Sequence, residues 1–233
     1  MALAFVTGGS RGLGLATAKG LRLLGFDLVL FARNRELLSE VATSLNAKYE
    51  VVDLEDINQT RAVFTKALET YGTPEILMLA HGVMSEKMSK TLRTTDEEWN
   101  RVLNINLNSV FTILNSVGSK MADARNGRII IYSACLGRMS GPGNTGGLAP
   151  YRISKAGVNA LVRNLAHETG LGTRGLLVDA ICPNHSRTDM GGAEAPRSAE
   201  EGAATAIWLA SREIKSGETK TGLLWEDNEV VEW

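Results

Sequence analysis

The chain has 233 residues, with 25 Lys and Arg against 26 Asp and Glu for a net charge of −1, and 44% of its residues are apolar. That length and composition suit one α/β domain spanning residues 1–233 around a sizeable core, and the balanced charge without a basic block argues against nucleic acid and anionic membranes as partners. The two cysteines, Cys135 and Cys182, stand far apart in apolar, strand-like surroundings, which predicts reduced core residues of a cytoplasmic protein rather than a disulfide framework.

Residues 1–6 are apolar but too short for a signal-peptide core, and they lead directly into a glycine-rich turn, so they read as a first strand. A helix follows over about 12–24, with Leu13, Ala16, Leu21 and Leu24 on one side, then a strand over 27–32 and a helix over 36–45. Strands over 49–52 and 75–80 bracket a helix near 58–71. The run Thr95-Asp96-Glu97-Glu98 has the pattern of a capping box opening a long helix towards Met121. A strand over 128–133, a helix over 151–169 and a strand over 176–181 continue the alternation. Ser198-Ala199-Glu200-Glu201 forms a second capping pattern, and residues 222–225 read as the last strand. Continuous apolar strands alternating with helices predict a doubly wound, mostly parallel sheet covered on both faces. Two irregular stretches, 137–150 and 184–197, are expected to line the substrate side, because loops at the carboxyl ends of parallel strands are where ligands bind.

Several residues carry chemistry. Gly8, Gly12 and Gly14, in the run Thr7-Gly8-Gly9-Ser10-Arg11-Gly12-Leu13-Gly14, follow a strand and open a helix. There the backbone can approach a pyrophosphate closely, and the helix dipole favours negative charge. Tyr151 and Lys155 stand four residues apart on one face of a helix. A phenol is a poor acid or base near neutrality, and a neighbouring cation stabilises the phenolate and lowers its pKa. Asn106 falls within the apolar stripe of the long helix, where a buried amide needs partners. Arg11 in the glycine turn and Arg33 after the second strand offer two guanidiniums where NAD enzymes usually place an acidic residue, which suits the 2′-phosphate of NADP(H).

Together, the glycine run and Tyr151-Arg152-Ile153-Ser154-Lys155-Ala156-Gly157 make the chain resemble the short-chain dehydrogenase/reductase family, from Thr7 to the C-terminal Trp233. The resemblance implies a Rossmann-type fold binding NADP(H), with Gly8, Ser10, Arg11, Gly12, Leu13, Gly14 and Arg33 around the phosphates. It places Asp53 and Leu54 at the adenine, Ala80, His81 and Gly82 near the ribose, and Pro183 and Thr188 at the carboxamide. Tyr151 is implied as general acid/base, Lys155 as its charge partner and ribose ligand, and Asn106 as the holder of a relay water. The sequence departs from the family at three points. Leu79-Ala80-His81-Gly82 lacks the asparagine that braces neighbouring strands, so His81 is expected to pack rather than to catalyse. Asn184 stands where the family has glycine, a mild change because Asn tolerates the left-handed conformation. Ala134 falls at the usual serine position, with Ser133 one residue early; Ser133 reaches the substrate oxygen only through a bulge or a slip.

The expected activity is therefore NADPH-dependent reduction of a ketone or aldehyde to an alcohol, reversible, with no metal. The partner is a small carbonyl or alcohol, the protein a homodimer or homotetramer, and residues 189–197 a mobile lid. The alternative is a relative that binds NADP(H) but has lost or changed its redox chemistry, because of Ala134.

Overall fold

The first seven strands, β1 (Leu3–Thr7), β2 (Asp27–Ala32), β3 (Lys48–Val51), β4 (Ile76–Leu79), β5 (Gly127–Tyr132), β6 (Leu176–Ile181) and β7 (Leu224–Glu226), pair in parallel in the order β3-β2-β1-β4-β5-β6-β7. An antiparallel strand unforeseen in the sequence, β8 (Glu229–Val231), closes the edge against β7. The computed structural model describes residues 2–86, 90–143, 145–215 and 219–233. Met1, in the expected first strand, and Asn144, in the expected 137–150 loop, lie outside them.

Both faces of the sheet are covered because successive side chains of the buried strands feed two different cores. Phe5, Val29, Phe31, Leu77 and Ile129 face one layer, while Ala4, Val6, Leu28, Leu30, Ile76 and Ile130 face the other. The first layer is α3 (Ile57–Tyr71), a long rod α4 (residues 96–124), and α5 (Ala149–Glu168), contributing Phe64, Val110, Ile113, Val158 and Val162. The second is α1 (Gly12–Leu23), α2 (Arg35–Ser44) and α6 (Ala199–Ser211), contributing Leu21, Leu38 and Leu209. This is the Rossmann-type α/β architecture that the alternation of strands and helices implied. Among the described residues no helix is long and apolar enough to cross a membrane.

The rod α4 starts as an α-helix at Asp96–Leu103 and ends as one at Ser119–Ala124. In between, π-turns at Asn104–Asn108 and Leu114–Gly118 flank an α-helical turn at Ser109–Ile113. Back-bonding accompanies both π-turns: Ser109 donates to the Ile105 carbonyl at 2.7 Å and Ser116 to that of Thr112 at 2.6 Å. At the N-terminus the expected capping box is only half made. Thr95 accepts the Glu98 N–H at 3.2 Å, but the Glu98 carboxylate turns away to the Glu86 N–H and to Arg101. At α6 the box is complete, with Ser198 and Glu201 bonded in both directions.

The strand order reverses between β1 and β4, and ligands of such sheets bind in the crevice this reversal leaves at the carboxyl ends.

Candidate active site

A cleft of about 1560 Å3 opens at that switch point, lined by the glycine turn, the ends of β2 to β6 and residues 182–191. The glycine turn is built for close approach. Gly8 has φ +66, and a Cβ there would lie 3.1 Å from the Ala80 carbonyl oxygen; a Cβ on Gly14 would lie 2.1 Å from the Gly8 oxygen. Ser10, Arg11, Gly12 and Leu13 complete the turn along the cleft wall, with Asp53 and Leu54 beyond β3. Asn184 adopts φ +56, as its substitution for glycine anticipates, and its buried Nδ2 has no hydrogen-bond partner among the described residues. A concave backbone cradle at a helix start and an unpaired buried donor at the far end fit a dinucleotide laid along the cleft.

The two arginines are not the free guanidiniums that the sequence suggested. Arg33 lies 3.7 Å from the Asp53 carboxylate, and Arg11 pairs with Asp189 at 2.5 Å across the cleft mouth. Both arginine side chains are about 70% exposed (73% for Arg33 and 69% for Arg11). Exposed pairs of this kind contribute about 0–1 kcal/mol and exchange readily for a phosphate. Thr188, expected at the carboxamide, packs its methyl towards Gly12 and accepts the Gly191 N–H at 3.1 Å. The expected lid is tied down as well: Arg187 donates to the carbonyls of Ala195 and Pro196, and Arg197 pairs with Asp227. The other loop behaves differently from the expectation. None of the described residues of 137–150 lines the cleft, because Arg152 gathers Gly143 and Thr145 onto the start of α5.

At the deep end Tyr151 and Lys155 line the cleft, while Asn106 lies behind Gly82 and outside the lining. All three are nearly sealed from solvent. Lys155 donates from Nζ to the Tyr132 carbonyl at 2.7 Å, and stands 5.9 Å from the centre of the Tyr151 ring. Burial lowers the lysine to about 8. Burial also pushes the Tyr151 phenol well above its ordinary value, with the charges of Cys182 and Cys135 adding to the rise. The expectation of a phenol drawn towards neutrality is thus not met by this geometry alone, since desolvation outweighs an ammonium already engaged by a carbonyl. Asn106 exchanges both bonds with the backbone of Val83, at 2.8 and 2.9 Å, and donates to Ser154 Oγ at 3.0 Å. Its amide therefore ties the loop after β4 to α5.

Ser133 is turned elsewhere than its expected role requires. Its hydroxyl bonds Asn159 Oδ1 at 2.5 Å and points at α5, while Ala134 packs with Tyr151 and Val102. Alternation along the strand is the reason: Tyr132 faces the α1 layer, and Ser133, whose N–H continues the ladder to the Ile181 carbonyl at 2.8 Å, turns to α5. His81 does more than fill space. It accepts from Thr7 at 2.6 Å and donates to Ser109 at 2.9 Å, joining β1 to α4 in the place of the missing asparagine.

Three further features have no local signature. Ser85 Oγ accepts the Tyr151 N–H at 2.9 Å, 66 residues away in sequence. Glu98 and Arg101 clamp the same loop through the Glu86 N–H and the Met84 carbonyl. Cys135 and Cys182, predicted as separate core residues, are neighbours: the Cys135 N–H donates to Cys182 Sγ at 3.0 Å, and the two thiols are hydrogen-bonded.

Residues 2–199 match the short chain dehydrogenase family. The chain belongs to that family. It is 33% identical over 190 residues to the 3-oxoacyl-[acyl-carrier-protein] reductase FabG of Escherichia coli K12, covering 81% of this chain and 75% of that protein. The Pseudomonas aeruginosa reductase of the same description is 32% identical over 193 residues, covering 81% of this chain and 75% of that protein. Among solved structures, a ribose-5-phosphate isomerase from Brucella melitensis superposes with a TM-score of 0.84 at 26% identity, over 96% of this chain and 89% of that one. An actinorhodin polyketide ketoreductase with NADPH superposes with a TM-score of 0.79 at 25% identity, over 90% of each chain. At the level of the family the protein is an NAD(P)(H)-linked oxidoreductase.

Proposed function

We propose that the protein is an NADPH-dependent reductase of a small ketone or aldehyde, working reversibly, with Tyr151 as the general acid. The observation that carries this reading is the burial of Tyr151 and Lys155 together in the lining of a dinucleotide-sized cleft, with Asn106 buried behind Gly82. The backbone around Gly8, Ser10, Gly12, Leu13 and Gly14 would hold the pyrophosphate, and Asp53 and Leu54 the adenine. Ala80, His81 and Gly82 would flank the ribose, which Lys155 would bind, and Pro183, Asn184 and Thr188 would face the carboxamide. The bound cofactor supplies or accepts a hydride. Tyr151 then donates its phenolic proton to the substrate oxygen in reduction and takes it back in oxidation. Preference for NADP(H) follows from Arg11 and Arg33, whose exposed carboxylate partners a 2′-phosphate would displace.

Calorimetry with both cofactors tests the preference: NADPH should bind at least ~10-fold more tightly than NADH, about 1.4 kcal/mol, and Arg33→Ala should narrow the gap. Equal affinity removes it. A carbonyl panel with NADPH then tests the reaction, and Tyr151→Phe should cut turnover by ~10²–10⁴ while cofactor affinity stays within a factor of two. Undiminished turnover in that variant overturns the assignment.

Ala134 against Tyr151 favours a second reading, a relative that binds the cofactor without this redox step. One oxygen-polarising donor is worth ~10²–10³ in rate. If wild type and Ala134→Ser both bind NADPH and neither consumes it with any carbonyl, the second reading is the better account.

A further inference from the structure

Cys135 and Cys182 are brought together by the way two strands end. β5 and β6 run in parallel register, with Tyr132 opposite Ile181. Ser133 extends the ladder by donating to the Ile181 carbonyl at 2.8 Å, and Cys182 is held from the other side by its N–H on the Trp225 carbonyl at 2.8 Å. The chain after Ala134 then coils into a short turn at Cys135–Gly137. That turn aims the Cys135 N–H at Cys182 Sγ and brings the two side chains into hydrogen-bonding contact. Both residues line the cleft beside Ala134, Tyr151 and Pro183, with Cys135 partly open and Cys182 only 2% exposed.

We propose that Cys135 and Cys182 form an oxidisable thiol pair, which a hydroperoxide converts to an intrachain disulfide that shuts down the deep end of the cleft. The effect on turnover rests on the reductase reading above; the disulfide itself does not.

The two thiols have unequal parts. Cys135 is the accessible one, and its thiolate is stabilised by the Cys182 S–H and by the N–H groups of Cys135 and Leu136, against the opposing effects of burial and the Glu226 charge. The Cys135 thiolate attacks one peroxide oxygen, forming an S–O bond as the O–O bond breaks, and the departing hydroxide or alkoxide takes a proton. Cys135 is then a neutral sulfenic acid. The hydrogen bond to the Cys135 thiolate, which with burial and that thiolate's charge held the Cys182 thiol up, is gone. Cys182 Sγ next attacks the sulfenic sulfur, an S–S bond replaces the S–O bond, and hydroxide leaves with the Cys182 proton as water. Two electrons pass from the thiols to the peroxide. The new bond binds the turn after Ala134 to the Cys182–Pro183 step, so the wall against which Tyr151 packs is locked to the wall expected to face the carboxamide.

The test treats the intact, reduced protein with hydrogen peroxide under native conditions and maps its peptides without reduction. The expected product has lost two hydrogens, carries one cross-linked peptide joining Cys135 to Cys182, and returns to the starting mass with dithiothreitol. Cys182→Ser should instead accumulate a dimedone-trappable sulfenic acid at Cys135. NADPH affinity, which does not depend on turnover, should fall at least ~10-fold in the disulfide form, about 1.4 kcal/mol, and any reductase activity should fall with it and recover on reduction. Sulfinic acid at Cys135 without a cross-link overturns the pairing. A cross-link that leaves NADPH affinity unchanged overturns the shutdown. If the reduced protein binds NADPH but reduces no carbonyl, the reductase reading fails while the disulfide and its effect on affinity are still decided.

Discussion

His81 shows how one side chain sets a stability profile. Ser109 Oγ gives its proton to the Ile105 carbonyl, so it accepts from His81 Nε2–H, and His81 Nδ1 accepts from Thr7 Oγ1. The ring is therefore neutral, in one tautomer, with both nitrogens satisfied. Burial, with the Lys155 charge adding to it, lowers its pKa from 6.5 to about 3. Between those values the unfolded chain binds a proton that the folded one does not. The contribution of His81 is thus fully present above pH 6.5 and lost as the pH falls towards 3, at about 1.4 kcal/mol per pH unit from this one group. Denaturant unfolding of wild type and His81→Asn at pH 7, 6, 5 and 4 checks this. The two stabilities should converge as the pH falls, or cross, because the variant lacks this slope. Parallel curves would mean that the histidine is charged or solvated in the native state.

At the scale of elements, the start of α5 is capped from outside. Leu148 precedes it at φ +53 without a side-chain cap, and Pro150 in the first turn has no N–H, so the Tyr151 N–H is satisfied by Ser85 from the loop after β4. Ser85→Ala should cost about 1 kcal/mol of stability, the usual worth of a lost cap, and lower kcat more than it raises KM, since the freed N–H belongs to Tyr151 itself. A chemical-denaturation midpoint and steady-state kinetics suffice to check it, and an unchanged midpoint would refute the cap. This contact also marks the limit of what is legible in the sequence. Strands and helices could be read because burial on two faces imposes local periodicities, and the glycine turn because its spacing reflects a local backbone demand. The half-made capping box at Glu98, the turn of Ser133 to Asn159, the cysteine contact and the Ser85 cap each depend on a partner brought close only by the completed sheet. Nothing within a few residues of Ser85 or Cys135 encodes that partner. The three-residue β8 is too short to show a period.

Across the whole molecule, a buried charge pair joins pieces distant in sequence. Asp179 in β6 accepts from Arg212 at 2.7 Å, from Trp225 Nε1 at 2.9 Å and from the Leu223 N–H at 3.2 Å. Arg212, just past α6, stands 5.1 Å from the ring centre of Trp208 and 4.9 Å from that of Trp225. Its carbonyl accepts from Arg128 in β5 at 2.8 Å. The pair therefore fastens α6 and the segment after it to β5, β6 and β7. Burial raises the Asp179 carboxyl above its ordinary range despite the arginine, so desolvation outweighs the attraction here. A pair of this kind adds little net stability but is costly to break in half. Asp179→Asn should lose about 3–5 kcal/mol, because the guanidinium is left buried without its counter-charge. Adding Arg212→Met should restore part of that loss, since it removes the stranded charge while the substituted amide can still accept from the Trp225 indole. Denaturation midpoints of the four proteins in this double-mutant cycle measure the coupling. Strictly additive losses would mean that the two side chains are solvated separately and that the fastening lies elsewhere, in the apolar packing of Trp208 against Trp225.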